Sequence, residues 1–285
     1  MSEFLDAFAA YVRANDLPVF RIAEAVGEGE PEAVTIRPCG ASLNGYSVAK
    51  AFVVTAIGLL ADEGKLRVEE RVTDILGERP GMDPRWRDVT VDMALTHRLG
   101  LSQNCLDIDC QDARLFGRDY LSYVFSVPLE QNPGEERVYT DAAYYLLARI
   151  AEEKAGIPAD VYLWERLLYD LGFAELAWSR CPMGHVMGAT GLYIRAQDAV
   201  KIGQLYMHGG TYRGKRYLSK AWVDAVLEQE YEFHAYCGGY AKGGMLGQML
   251  AFFPAQGRAV AWHSSGEDLG GPMKTFIAAW QADHP

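Results

Sequence analysis

Ser47 and Lys50, in the stretch Tyr46-Ser47-Val48-Ala49-Lys50, are the residues best placed to do chemistry in this chain. They form its only Ser-x-x-Lys. The run that follows, Ala51-Phe52-Val53-Val54-Thr55-Ala56-Ile57-Gly58-Leu59-Leu60, reads as a buried helix. In a helix that begins near Ser47, residues three apart share a face, so the amine reaches the hydroxyl. A serine hydroxyl becomes a nucleophile when a neighbouring base takes its proton, and a lysine is such a base if its surroundings lower its pKa. A chain of this length holds about one Ser-x-x-Lys by chance. The plain alternative is a helix N-cap serine with a surface lysine one turn on.

Two further motifs follow in order. Tyr139-Thr140-Asp141 comes after the turn-rich loop Asn132-Pro133-Gly134-Glu135-Glu136-Arg137-Val138 and before the helical run Ala142 to Ile150. Asp141 could serve only as the N-cap of that helix. Of the sixteen tyrosines, Tyr139 alone has Asn or Asp two residues on. Lys242-Gly243-Gly244 is one of three Lys-x-Gly matches. Lys154 to Gly156 reads as a helix C-cap, and Lys201 to Gly203 lies within a helical run. Lys242 leads instead into a hairpin pattern: strand 247–253, turn 254–258, strand 259–262, with glycines where a ligand could approach the backbone.

Ser-x-x-Lys, Tyr-x-Asn and Lys-Thr-Gly in this order are the signature of the penicillin-recognising serine hydrolases, and the chain resembles their class C β-lactamase branch. Related Ser-x-x-Lys and Lys-Thr-Gly motifs mark the class A enzymes. Asp62 to Leu66, Val89 to Leu101 and Gly191 to Asp198 also resemble family segments, so the likeness spans nearly the whole chain. It implies an α+β, β-lactamase/transpeptidase-like fold: an antiparallel sheet flanked by helices, a mainly helical lobe, and a site between them. The chain then reads as a single domain, 1–285, with an α/β lobe from about 1–46 and 190–285 and a helical lobe from about 47–189.

The implied chemistry is acyl transfer to Ser47, with Lys50 and Tyr139 sharing the proton work. Lys242 would supply positive charge to Tyr139 or to an anionic substrate group. Asp141, Gly243 and Gly244 would border the substrate, and the N–H groups of Ser47 and Met245 would form the oxyanion hole. Two positions depart from the family pattern. Asp141 stands where Asn is usual, and a carboxylate there would keep the lysines protonated and shift the burden to Tyr139. Gly243 stands where Thr is usual, which removes a hydroxyl that helps bind a substrate carboxylate. Both departures point to an esterase or amidase with weak or no β-lactamase activity. The alternatives are a β-lactamase or D-alanyl-D-alanine carboxypeptidase, and a non-catalytic sensor of the same fold.

Other constellations explain less. Gly45-Tyr46-Ser47-Val48-Ala49 is one residue short of the Gly-x-Ser-x-Gly elbow, and with His263 and Asp198 it would leave Lys50, Tyr139 and Lys242 without a role. The six histidines include no His-x-x-x-His pair, and the reading calls for no metal and no cofactor. Tyr144 and Tyr145 read as helix-face residues, one of them buried. The 285 residues carry a formal charge of −11 with no basic run to offset it, which argues against nucleic acid. Hydrophobic residues make up 49%, enough for a substantial core. The longest apolar run, Ala51 to Ala61, is too short to span a bilayer. The partner expected is a small-molecule acyl substrate. Met1 to Val12 reads as an amphipathic helix and not a signal peptide, and the five cysteines read as reduced thiols, although Cys105 and Cys110 could pair. Both point to a cytoplasmic protein.

Overall fold

The computed structural model describes residues 2–266 and 269–284. Its strands are β1 (Val19–Val26), β2 (Glu32–Thr35), β3 (Leu43–Asn44), β4 (Ala177–Trp178), β5 (Leu192–Ile194), β6 (Thr211–Tyr212), β7 (Lys215–Arg216), β8 (His234–Tyr236), β9 (Gly239–Gly244), β10 (Gln248–Phe253) and β11 (Arg258–Ser264). Six of them form one antiparallel sheet in the order β2-β1-β11-β10-β9-β8. The two chain ends meet where β1 pairs with β11, Ile22 lying opposite Trp262.

Strand periodicity sends alternate residues to opposite faces. Ala23, Leu250, Phe252, Ala259 and Ala261 join one buried cluster, and Ile22, Ala251, Phe253, Val260 and Trp262 join the other. Two terminal helices, Glu3–Ala14 and Gly270–Asp283, cover the second face. Phe8 stacks on Phe276 there, with ring centroids 4.4 Å apart. The helix Ala196–Met207 crosses the first face over β1, β10 and β11.

The expected buried helix is Ala49–Asp62, in which every residue from Ala49 to Leu60 is buried. Such all-round burial needs neighbours on every side, and it packs against the helix Asp141–Ala155, the helix Ala159–Leu163 and the helix Lys220–Glu228. The predicted hairpin forms as β10 and β11, joined by Pro254–Gln256 and Gly257. Two details differ from expectation. The segment after Gly191 enters a separate three-stranded sheet, β3-β5-β4, and not the main one. Tyr144 and Tyr145 are both buried, at 0% and 1% exposure, because their helix is enclosed on several faces. As expected, all five cysteines are free thiols, Cys105 and Cys110 included. Among the described residues, no helix is long and apolar enough to cross a membrane.

Candidate active site

Ser47 sits in a short 3-10 turn, Tyr46–Val48, that runs straight into the helix Ala49–Asp62. It is not an N-cap: no side-chain capping bond forms at either element. Lys50 is the second residue of the helix and wholly buried. Its ammonium donates to Ser47 Oγ at 3.0 Å, to Asp141 Oδ1 at 2.7 Å and to the Ala189 carbonyl at 3.0 Å. Three donors and three acceptors match, so this buried amine is fully satisfied. Burial pulls its pKa down, but Asp141, Tyr139 and Glu232 outweigh that, and the net displacement is upward. Lys50 is therefore held as an ammonium.

Tyr139 ends the loop before the helix Asp141–Ala155. Its hydroxyl lies 2.9 Å from Ser47 Oγ, so both side chains that the sequence pairs with Ser47 reach it. The N-cap of that helix is Thr140 and not Asp141. The Thr140 hydroxyl accepts the Cys105 N–H at 3.0 Å, and the Asp141 N–H donates to Asn104 Oδ1 at 2.8 Å. Asp141 is thus free to turn its carboxylate toward Lys50. Two ammonium groups flank the Tyr139 ring, Lys50 Nζ at 4.7 Å and Lys242 Nζ at 5.2 Å from its centroid. A negative charge developing on the Tyr139 oxygen would meet a favourable field there.

Lys242 lies on β9, which packs against the Tyr46–Val48 turn. The contact is so close that a Cβ on Gly244 would stand 2.4 Å from the Gly45 carbonyl and 3.3 Å from the Ser47 nitrogen. A Cβ on Gly243 would meet nothing nearer than 3.9 Å. Gly244 is therefore required by the approach of two backbones, whereas Gly243 is not.

The Lys242 ammonium bonds Glu232 Oε2. Glu232 is 1% exposed, and its other oxygen lies 2.6 Å from His97 Nε2. His97 Nδ1 accepts the Thr140 N–H at 3.2 Å, which places the ring proton on Nε2 and makes it the donor to Glu232. Burial would raise the Glu232 pKa, but Lys242, His97 and Lys50 together lower it well below the carboxylate range. Burial also lowers the His97 pKa, against the opposing pull of Glu232. The chain Lys242–Glu232–His97–Thr140 ties β9 to the Tyr139 loop. Strain gathers here as well: Tyr46, His97, Glu232 and Leu246 hold φ of 46°, 58°, 69° and 57°, an arrangement that costs about 1–3 kcal/mol per residue.

Neither Glu232 nor the link through His97 was foreseen from sequence. His97 lies in a segment with a family likeness, but nothing in that likeness assigns it a partner. Glu232 belongs to no motif and reaches Lys242 only through the fold. The elbow alternative fails on geometry. His263 bonds Gln248 Oε1 and the Ile194 carbonyl, both at 2.9 Å, and Asp198 pairs with Lys201 at 2.8 Å.

A cleft of about 640 Å³ opens over the hydroxyl of Ser47. Tyr139, Lys242 and Gly243 are among the residues lining it, and Met245, Met249, Trp262 and Leu269 supply apolar lining. Among the described residues, one group has the proximity of metal ligands: Asp107, Asp109 and Asp141, with oxygens within 4.8 Å of one another. Asp141 is committed to Lys50. Burial, Asp141 and Asp107 raise the Asp109 pKa, a nearby Thr190 hydroxyl opposing them.

A family model described as Beta-lactamase matches residues 44–210, more than half of the chain. The chain belongs to the Beta-lactamase family. With it comes membership of the penicillin-recognising serine hydrolases and the β-lactamase/transpeptidase-like fold. The family match includes Ser47, Lys50, Tyr139 and Asp141, and the Lys242 motif lies beyond it. A curated relative, the 6-aminohexanoate-dimer hydrolase of Paenarthrobacter ureafaciens, is 26% identical over 196 residues, 64% of this chain and 49% of that protein. The chain thus spans about half the length of this relative. Two solved structures share the fold. A family VIII carboxylesterase matches with a TM-score of 0.77 at 17% identity, covering 98% of each chain. The D-amino acid amidase of Ochrobactrum anthropi SV3 matches with a TM-score of 0.75 at 15% identity, covering both chains fully at 100%.

Proposed function

We propose that this member of the family hydrolyses esters or amides through an acyl-enzyme on Ser47, with little turnover of β-lactams. The observation that carries the reading is the convergence on Ser47 Oγ of the Lys50 ammonium at 3.0 Å and the Tyr139 hydroxyl at 2.9 Å. Lys50 is already protonated, so it orients Ser47 and stabilises negative charge and does not act as the base. The reacting form carries Tyr139 as a phenolate between the Lys50 and Lys242 ammonium groups, its own proton released to solvent beforehand, and this phenolate takes the Ser47 proton as Oγ bonds to the substrate carbonyl carbon. The N–H groups of Ser47 and Met245 receive the oxyanion. Tyr139 then passes a proton to the departing alkoxide, phenoxide or amine as the C–O or C–N bond breaks. Water repeats the sequence in reverse and frees Ser47.

The names borne by its relatives include an amide hydrolase and a carboxylesterase, which fits this reaction class. Asp141 and Gly243 weigh against β-lactams, since each replaces a neutral hydrogen-bonding group. Steady-state hydrolysis of short p-nitrophenyl esters tests the proposal. Ser47→Ala is expected to lower kcat by at least about a thousandfold, as loss of a nucleophile does. Turnover retained in Ser47→Ala would place the chemistry elsewhere.

A further inference from the structure

Each cation of the site arrives with its own carboxylate. Lys50 is paired with Asp141 at 2.7 Å, and Lys242 is paired with Glu232, whose exposure is 1%. Glu232 is no passing surface contact. His97 holds its second oxygen at 2.6 Å, and the Thr140 N–H fixes His97 in turn. A buried carboxylate with two bonded donors has little freedom to leave its lysine. Among the described residues lining the cleft, Lys242 is the only charged side chain. Gly243 adds no hydroxyl, and much of the remaining lining is apolar. Asp107 and Asp109 place two further carboxyl groups within 4.8 Å of Asp141. The cleft therefore offers no uncompensated positive charge.

We infer that Glu232, given acyl transfer at Ser47, is a specificity-determining residue that restricts the enzyme to neutral, apolar acyl substrates. It acts through Lys242 and does not touch the substrate. A substrate carboxylate entering the cleft would lose hydration and meet an ammonium already neutralised, with Glu232 repelling it from behind. An uncharged ester or amide suffers neither penalty and gains from Met245, Met249 and Trp262. The sequence alone leaves Lys242 two roles, as charge for Tyr139 or as a receptor for an anionic substrate group. The ion pair favours the first, at the face of Tyr139.

A matched pair of substrates tests this: mono-p-nitrophenyl glutarate, with a free carboxylate, and its methyl-capped analogue. The wild type is expected to favour the capped ester by at least about tenfold in kcat/KM, the scale of one unmade charged contact. Glu232→Gln frees Lys242, and the gap should close to about threefold or less, mainly through a lower KM for the free acid. Glu232→Asp keeps the charge and should keep the gap. A wild type that prefers the free acid or treats the two alike overturns the inference. So does a folded Glu232→Gln with an unchanged ratio. If neither variant folds, the wild-type ratio decides. Absence of wild-type turnover on the capped ester would instead refute acyl transfer itself, so the two failures are distinguishable.

Discussion

Lys50 is the residue on which the division of labour turns. Its ammonium is buried, satisfied by three acceptors and held by Asp141, so deprotonating it would strand a carboxylate in the interior. In the proposed mechanism that leaves Tyr139 to carry the proton. The substitution that makes Lys50 a fixed cation also bears on substrate choice. Asp141 and Gly243 stand where the wider superfamily usually places Asn and Thr, groups that bond the polar decoration of a lactam. Each unmade polar contact costs roughly 1–3 kcal/mol, or about one to two powers of ten in rate. Space is available for a repair at one of them, since a Cβ at Gly243 would meet nothing within 3.9 Å. Asp141→Asn combined with Gly243→Thr is expected to raise nitrocefin hydrolysis relative to a short aryl ester by at least about tenfold. A wild type that already prefers nitrocefin, or a double variant with no change in the ratio, would contradict the role given to these positions.

At the scale of elements, the site is assembled from two helix starts and one strand end. Sequence reveals the helix starts because motif and periodicity coincide there: a continuous apolar run follows Ser47, and a turn-rich loop precedes Tyr139. It reveals the β10–β11 hairpin because Phe252, Phe253 and a Pro–Gly turn are local signals. β3, β4 and β5 were harder to read. Strands of two or three residues carry no period, and their existence depends on partners 14 to 151 positions away. Glu232 was illegible for the same reason. A carboxylate ten residues before Lys242 has no spacing rule to mark it, and only the antiparallel pairing of β8 with β9 brings that segment beside His97. The Tyr144 and Tyr145 pair shows the converse limit. Helix periodicity assigns one to the core, but an enclosed helix buries both.

The whole molecule is a sheet closed by its two chain ends, with buried charges where that sheet meets the helices. Those charges make stability depend on pH. The folded-state pKa of Glu232 lies below its ordinary value of 4.5, so the unfolded chain binds the extra proton. Its stabilisation is present above pH 4.5 and is lost as pH falls further. His97 is likewise displaced below 6.5, and its contribution is lost as pH drops beneath that value. Lys50 is displaced above 10.5, so its contribution is present below pH 10.5 and is lost at higher pH. Thermal melts across pH should therefore show the gap in Tm between wild type and Glu232→Gln narrowing as pH falls below 4.5. A gap that stays constant through this range would show that the Glu232 charge does not stabilise the fold.

The central claim is that Ser47 becomes covalently acylated, and the most direct measurement is intact mass after treatment with a fluorophosphonate, followed by peptide mapping. A single adduct on Ser47 is expected, formed by displacement of fluoride from phosphorus. It should be absent in Ser47→Ala and greatly slowed in Tyr139→Phe, which cannot accept the serine proton. An adduct on another residue, or labelling of Ser47→Ala at the wild-type rate, would contradict the account.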